Sequence, residues 1–399
     1  MPASVYVSSA RFSERRVIAM AARQTGLTPL STLLSQVLVA NTIEFDDLAE
    51  QRVLHGTTVG GQAAIRAGGV WFTSRVMWTN FVRHIDRNGR PVREIQQLAC
   101  LSENATKSRL HHLEWWSYLT FARDPSDPRA KPRYLDQLVQ LTPNGEKAAE
   151  SWAPIAAEIE KRWVTRLTKA KLDPVMGALR RVVSEGALDL PDYMPVVDYG
   201  DGMRASLAMP EVSPARTPLA KLDLSALLSR ALLLLTLEFE HGSPDVSLTA
   251  AANVLRVIDD EGTPLKAMPG RAGIVKEGQG ALINFLKKKG YFSIGTDKTK
   301  TLKLTAKGKE AREDYPTRVA AIEARWELSV GRQTLVALRQ GLDTVLDHPK
   351  FVAGLQPHAG GWRLDKRYVA LTNATIADPR AGLPHHPMIT HRGGFPDGA

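Results

Sequence analysis

The sequence predicts a mainly α-helical fold with small β-hairpins, an α+β architecture built twice along one chain. Three pairs of segments carry this. Leu141-Thr142-Pro143-Asn144-Gly145 and the stretch it opens, through Trp163, recur without a gap as Leu304-Thr305-Ala306-Lys307-Gly308 through Trp326, at an offset of 163, with ten of 23 paired positions identical. Leu30-Ser31-Thr32-Leu33-Leu34-Ser35, leading to Glu44-Phe45, pairs with Leu224-Ser225-Ala226-Leu227-Leu228-Ser229, leading to Glu238-Phe239, at an offset of 194. Arg83-His84-Ile85-Asp86 with Gly89 and Pro91 pairs with Arg256-Val257-Ile258-Asp259 with Gly262 and Pro264, at an offset of 173 that holds through Tyr118 and Tyr291. Segments repeated in the same order mark repeated supersecondary units. The falling offsets (194 − 173 and 173 − 163) give the first copy 21 extra residues after its first helix and 10 more in a later loop.

A chain of 399 residues accommodates two such units. The division read from the sequence is an N-terminal arm (1–28), a first unit (29–200), a linker rich in Pro, Ala and Ser (201–222), a second unit (223–350) and a C-terminal extension (351–399). The longest apolar runs, Val17 to Ala22 and Ala231 to Leu235, are far too short to cross a membrane. Met1 to Ser9 lacks the charged-then-apolar order of a secretory signal. A single cysteine, Cys100, permits no intramolecular disulfide and no thiolate metal cluster, so the cytoplasm is the expected location. A net charge of +10 and a pI of about 9.6 favour a polyanionic partner, nucleic acid or anionic lipid.

In chain order, Phe12 to Gln24 reads as a short basic helix in the arm. Leu30, Leu33, Leu34, Val37, Leu38 and Phe45 keep helical spacing and predict an amphipathic helix. Its counterpart is apolar on nearly every side from Leu227 to Leu237, so it must be buried, most simply against other helices. Gly60-Gly61 and Gly68-Gly69 lack a following Gly-Lys-Ser/Thr and read as loop. Phe72, Val76, Thr79, Val82 and Ile85 mark a helix ended by Asn88-Gly89. Pro91 opens the next, Val92 to Ala99, with Ile95 and Leu98 inward. After a tight turn at Cys100-Leu101, Ser102 caps a third helix running to about Trp116. Two short helices joined this way form a helix-turn-helix. Tyr118 to Phe121 then alternates as a strand, an Arg- and Pro-rich loop follows, and Leu138 to Leu141 returns. Helix-turn-helix plus hairpin is a winged helix. Thr142 caps a long helix with Pro143 at its first position, where a missing N–H costs nothing. Trp152, Ile155, Ala156, Ile159 and Trp163 form its apolar stripe, read as core or interface. A last helix, Leu172 to Val183, pairs with Leu335 to Leu346. In the tail, Trp362 to Tyr368 reads as a strand, and Leu383-Pro384 through Gly398 echoes Leu190-Pro191 through Gly202.

This order of elements resembles the multiple-antibiotic-resistance regulator (MarR) family of winged-helix transcription factors. The resemblance rests on Leu101-Ser102, Leu113-Glu114, Asp127-Pro128-Arg129 and Leu141-Thr142-x-x-Gly145, with Leu286, Tyr291-Phe292 and Leu304-Thr305-x-x-Gly308 in the second copy, and covers most of 29–185 and 223–348. The family is mostly homodimeric through its first and last helices, and its recognition helices enter successive major grooves. The resemblance therefore implies a tandem winged helix-turn-helix chain forming an intramolecular pseudo-dimer, either monomeric or paired further. It also implies a DNA-binding regulator, most simply a repressor, released by a small aromatic effector bound between the interface helices and the winged helix.

Affinity is expected from Lys and Arg on phosphate, specificity from base edges read by the first half of the recognition helix. In the first unit the candidates are Ser102, Asn104, Thr106, Lys107, Ser108 and Arg109 on the helix, with Arg123, Arg129, Lys131 and Arg133 in the wing. In the second they are Lys276, Gln279, Lys298 and Lys300. There Val275 replaces Ser102, Gly278 and Gly280 weaken the recognition helix by about 1 kcal/mol each relative to Ala, Pro269-Gly270 interrupts the preceding helix, and the wing has no Asp-x-Arg. That pattern predicts a unit that grips phosphates or reads a different half-site. No hydrolase triad, zinc motif or nucleotide loop is present, and His385, His386 and His391 have no helical i, i+4 partner, so neither enzyme, cofactor nor metal is expected. Two other readings stay open: a DNA-repair glycosylase built of tandem winged helices, which would need a buried acid or base beside a base pocket, and a winged-helix module that binds protein. Glu44 with Glu238 and Asp86 with Asp259 recur in both copies, which points to structure.

Overall fold

The computed structural model describes residues 17, 20–21, 27–53, 74–186, 189–198, 202–205, 209, 217–272, 276–296, 298–348 and 386–389. In the first half, α1 (Leu30–Arg52) and α2 (Arg75–Val82) precede β1 (Arg90–Pro91), α3 (Val92–Leu98), α4 (Glu103–Trp115), β2 (Leu119–Ala122) and β3 (Leu138–Leu141). Then come α5 (Pro143–Trp152), α6 (Ile155–Leu167) and α7 (Lys169–Glu185). The second half repeats the order with α8 (Leu224–His241), α9 (Ala251–Arg256), β4 (Thr263–Pro264), α10 (Met268–Ala272), α11 (Lys276–Lys288), β5 (Phe292–Ile294), β6 (Thr301–Leu304), α12 (Ala306–Val330) and α13 (Arg332–Asp347). The chain is mainly helical, with two small antiparallel sheets of order β1-β3-β2 and β4-β6-β5. Leu119 faces Leu141 and Phe121 faces Val139 in one; Phe292 faces Leu304 in the other.

The Leu-Thr-x-x-Gly repeat has a physical cause. Thr142 caps α5 by accepting from the Gly145 N–H at 3.1 Å, and its own hydroxyl donates to the Ser117 carbonyl at 2.6 Å. Thr305 does the same with Gly308 (3.2 Å) and Gly290 (2.7 Å). A Cβ on Gly145 would lie 1.8 Å from the Tyr118 carbonyl oxygen, and one on Gly308 1.9 Å from that of Tyr291. Only glycine lets this helix start close over the end of α4 or α11. The Trp at the far end is equally constrained: Trp163 Nε1 donates to Glu44 at 2.7 Å and Trp326 Nε1 to Glu238 at 2.8 Å. Arg166 forks onto Glu44 with two bonds of 2.7 Å, and Arg325 reaches Glu238 at 3.2 Å. These recurrent glutamates therefore anchor helices.

Two sequence expectations change. First, α1 is not amphipathic: every residue from Leu30 to Glu50 is buried. It packs against α2 and α6 of its own half and against α8 and α13 of the other. Its polar side chains sit inside this packing: Asp46 accepts from Ser74 Oγ (3.0 Å) and the Val76 N–H (3.2 Å), and Glu50 pairs with Arg75 at 2.5 Å, both nearly inaccessible. Second, the long helix expected after Thr142 breaks at Ala153-Pro154, since proline lacks the N–H that would continue the ladder. Its counterpart α12 runs unbroken to Val330 with Pro316 inside it.

The first and last helices of both halves share one core, α1 on α8, α7 on α13, α7 on α8 and α1 on α13. α8 is buried without interruption from Ala226 to Thr236. At Gly341 a Cβ would meet Val175 Cγ2 at 2.2 Å, so the missing side chain lets α7 and α13 close up. Part of the expected linker is packed: Ser247 Oγ donates to the Gly202 carbonyl at 2.5 Å. Of the tail, 386–389 is described; Ile389 bridges Val197, whose N–H donates to the Met388 carbonyl at 2.8 Å. The arm helix (apart from 17 and 20–21), the glycine pairs at 60–61 and 68–69, and Trp362 to Tyr368 lie outside the described residues. No helix among the described residues is long and apolar enough to cross a membrane.

Candidate nucleic-acid interface

The site begins at the α3–α4 turn. Cys100 takes a left-handed conformation (φ 55°), and the Leu101 N–H returns to the Gln96 carbonyl at 3.0 Å. Ser102 is exposed and caps α4, its Oγ accepting from Ala105 N at 3.2 Å. Asn104 and Lys107 are exposed and Ser108 is half-buried.

Thr106 and Arg109 do not join them. Thr106 is fully buried with its hydroxyl bonded to the Ser102 carbonyl at 2.8 Å, and Arg109 is 4% exposed. Both lie on the stripe Ala105, Thr106, Arg109, Leu110, Leu113 that α4 turns inward. A periodicity argument treats threonine and arginine as outward by default; here the inward arc is wide enough to take both. The exposed face instead gains His111, one turn beyond Lys107. Its ring lies 5.2 Å from Phe121 and 5.5 Å from Tyr134, and the Lys107 ammonium lies 5.9 Å from the Tyr134 ring. Burial, then the Glu114 carboxylate, push the Tyr134 phenol well above its ordinary range. The i, i+4 spacing of Lys107 and His111 was the available signal for this cluster; the two aromatic partners arrive from β2 and the wing.

In the wing, Arg123, Arg129, Lys131 and Arg133 are all exposed. Arg129 is nonetheless engaged, through Nε and Nη2 to Asp127 (2.8 and 2.6 Å) and through Nη2 to Asp136 (2.7 Å). Asp136 also takes Arg93 of α3, so the wing is tied to the helix-turn-helix. The Arg129 hydrogen bonds, side chain first, pull the Asp127 carboxyl down to about 2. Arg123 donates to the Asp127 carbonyl at 2.7 Å.

No protein-family model, curated protein or solved structure matches the chain.

The second half presents a different surface. Lys276 opens α11, while Val275 lies outside the described residues. Gln279 is buried, its amide donating to the Leu265 carbonyl at 3.3 Å, so it is spent on packing and cannot reach outward. The helix before α11 is shortened, as Pro269-Gly270 predicts, to a 3-10 turn followed by α10. Lys298 and Lys300 are exposed in the short β5–β6 turn.

A cavity of about 190 Å³ lies where the halves meet, lined among others by Thr42 and Phe45 of α1, Arg83, Asp192, Tyr193 and Asp223. Arg83 lies 4.4 Å over the Tyr193 ring. Burial raises the Asp223 carboxyl, against the Ala226 N–H it accepts at 2.8 Å to cap α8. Six separate stretches of chain build this cavity, so no local motif announces it. Among the described residues no group of His, Cys, Asp and Glu is placed to hold a metal. His386 is buried, and His385 and His391 lie outside the described residues.

Proposed function

We propose that the protein is a double-stranded DNA-binding transcription regulator of MarR type, most simply a repressor, whose two halves are winged helix-turn-helix units held as a pseudo-dimer within one chain. The observation that carries this is the α3–α4 pair with its sheet. A capped helix exposes Asn104, Lys107 and His111 along one face, with Ser108 half-buried between them, beside a hairpin whose loop exposes Arg123, Lys131 and Arg133. A polar, cationic helix face of this width suits the major groove, and a basic hairpin beside it suits the flanking phosphates or minor groove. Asn suits adenine and Lys suits guanine. The second half, with Gln279 turned inward and Lys298 and Lys300 outward, is read as a phosphate-gripping partner rather than an equal reader of bases.

The cavity between the halves is the proposed effector site. Its walls come from α1, the start of α8 and the chain after α7, so a small aromatic molecule lodged there bears on the angle between the units.

The test is selection of genomic fragments by the purified protein followed by sequencing. An enriched inverted motif supports a two-headed regulator. A single enriched half-site means that the first unit reads and the second holds. No enrichment, at a salt concentration where non-specific binding is lost, overturns the reading and brings forward repair or protein binding.

A further inference from the structure

The repeat places equivalent residues at equivalent points of the two halves, and one pair of equivalent surfaces carries opposite chemistry. Where α4 ends and α5 begins, the first half has Glu114, Trp115, Trp116, Asn144 and Glu146. At offsets of 173 and 163 the second half has Lys287, Lys288, Lys289, Lys307 and Lys309. In each half the end of the first helix meets the start of the second. Thr142 Oγ1 donates to the Ser117 carbonyl, and Lys307 Nζ donates to the Lys289 carbonyl at 3.0 Å.

Trp115 is 66% exposed, the most of any large apolar side chain among the described residues. Its ring stacks on Trp116, with centroids 5.6 Å apart and planes 16° from parallel, which holds it as a flat outward plate. Glu114, Asn144 and Glu146 around it are exposed. The five lysines opposite in sequence are exposed too. Asp245 neutralises part of their charge, pairing with Lys289 at 2.9 Å and Lys307 at 3.3 Å, and leaves Lys287, Lys288 and Lys309 to solvent. Lys287 and Lys288 sit some 18 Å along α11 from Lys276, at 1.5 Å per residue, at the opposite end of the helix from the one proposed to meet DNA.

We propose that these surfaces are the two sides of one interface: the Trp115 face of one molecule docks on the Lys287–Lys289 face of a second copy, so that copies associate head to tail. The chemistry matches on three counts. An exposed indole is the usual anchor of a protein interface. Ammonium groups bind favourably over an indole face. Glu114 and Glu146 give the lysines counter-charges and steer the encounter. Because the two faces share one backbone framework but sit on different halves, each docking event leaves a free face of each kind. That is a heterologous contact, which builds rings or open chains rather than a closed dimer. Such a chain would align several regulators along neighbouring sites without any DNA-mediated contact.

The test uses the full chain and no DNA. Sedimentation velocity over a range of protein concentrations compares wild type with Trp115→Ala and with the double variant Lys287→Glu/Lys288→Glu, in low salt and in about 1 M salt, where the screening length falls to about 3 Å. Wild type is expected to form species of increasing size, reversed by salt. Each variant alone is expected to associate at least about tenfold more weakly, the scale of losing an interface anchor. The decisive sample is the mixture: the Trp115→Ala chain keeps its lysine face and the lysine variant keeps its tryptophan face, so together they form a two-chain species and stop there. That complementation also shows that both variants are folded. Wild type that stays monomeric at every concentration overturns the proposal. So does a mixture that behaves as its separate components, or variants that associate as wild type does.

Discussion

Glu323 Oε1 accepts the backbone N–H of Leu30 at 2.6 Å, from α12 of the second half to the first residue of α1 in the first half. The same contact occurs in reverse: Glu160 Oε2 accepts the N–H of Leu224 at 2.8 Å. Glu160 and Glu323 are 163 residues apart and Leu30 and Leu224 are 194 apart, the offsets of the repeat. Residue i of one half meets residue j of the other and the converse, the mark of a two-fold contact, here closed within one chain. Glu323 supplies the cap that α1 cannot make for itself, since Pro29 offers no side-chain acceptor, while Glu160 adds an acceptor at the start of α8, which Asp223 also caps. Loss of either acceptor by Glu→Ala is expected to cost about 1–3 kcal/mol, the range for a lost cap or an unpaired buried donor. Glu323→Ala should fall at the upper end, because Arg339 also loses its ion pair. Urea denaturation followed by tryptophan fluorescence measures both.

The same contact sets a pH dependence. Burial raises the Glu323 carboxyl above its ordinary 4.5, against the opposing pull of Arg339 and the Leu30 N–H, and burial raises Glu238 as well. Between the unfolded value near 4.5 and the higher folded value, the native state holds a proton that the unfolded chain has lost. This contribution to stability is therefore full below 4.5 and declines as pH rises through the folded value. Glu323→Gln keeps an acceptor for Leu30 and removes the titration, so its stability should fall less steeply with pH over that interval. A slope equal to that of wild type would show that Glu323 does not titrate there. Glu238 should keep the slope from vanishing.

A Gly145→Ala substitution drives a methyl group to 1.8 Å from the Tyr118 carbonyl oxygen, where backbone on both sides prevents retreat. The expected loss is about 2–4 kcal/mol, as for severe overpacking, with a matching loss at Gly308. Gly177→Ala in α7 is the control, since nothing lies within 4 Å of its added Cβ; it should be neutral or stabilise by up to about 1 kcal/mol. Thermal melts of the three variants suffice. Equal melts for Gly145→Ala and wild type would mean that α5 does not start where it is described.

Much of this was legible in the sequence. The repeat, the caps at Ser102 and Thr142, the hairpin of the first unit and the buried counterpart at 227–237 all rest on local pattern or on self-comparison, which need no knowledge of distant neighbours. The failures share one cause. α1 reads as amphipathic because Ser31, Ser35, Asn41 and Asp46 interrupt its apolar positions, but α2 of its own half takes Asp46, and the other half, arriving nearly 200 residues later, packs along it too and brings Tyr315 to Ser31. Arg109 and Gln279 read as outward by residue type, although each faces into the packing of its own half. The cavity at Arg83 and Asp223 is likewise built from stretches that sequence spacing does not connect.

The wing makes a prediction about charge. Because Asp127 is held down to about 2 by Arg129, it stays ionised and the pair persists until pH falls through that value; between pH 5 and 8 wing order should not change. Asp127→Asn removes one counter-charge and leaves Arg129 more available to phosphate. DNA affinity at low salt should rise for every sequence, and the slope of log K against log salt should steepen by up to about 0.9, one phosphate contact. Arg129→Ala should weaken binding to all sequences and shallow the slope. Fluorescence anisotropy across a salt series separates these outcomes. A slope unchanged in both variants would remove the wing from the interface.

Arg109 and Lys107 make the sharpest contrast, two cations two residues apart on α4 with opposite surroundings. Lys107 is exposed and Arg109 is 4% exposed. Lys107→Ala should leave the melting temperature within about 1–2 °C of wild type, as most surface substitutions do, and weaken the preferred site by about 1–3 kcal/mol if it reads a base edge. Asn104→Ala should behave alike, with specificity relaxed at a different base pair. Arg109→Ala should instead lower stability by about 2–4 kcal/mol, since a side chain deep in the stripe of α4 is lost with its packing and its polar contacts. Its affinity for DNA, measured well below its melting temperature, should change only as far as α4 itself shifts. If Arg109→Ala melts like wild type yet loses the preferred site, the outward face of α4 has been assigned the wrong way round. The reading helix would then have to be placed by the positions at which base preference is lost.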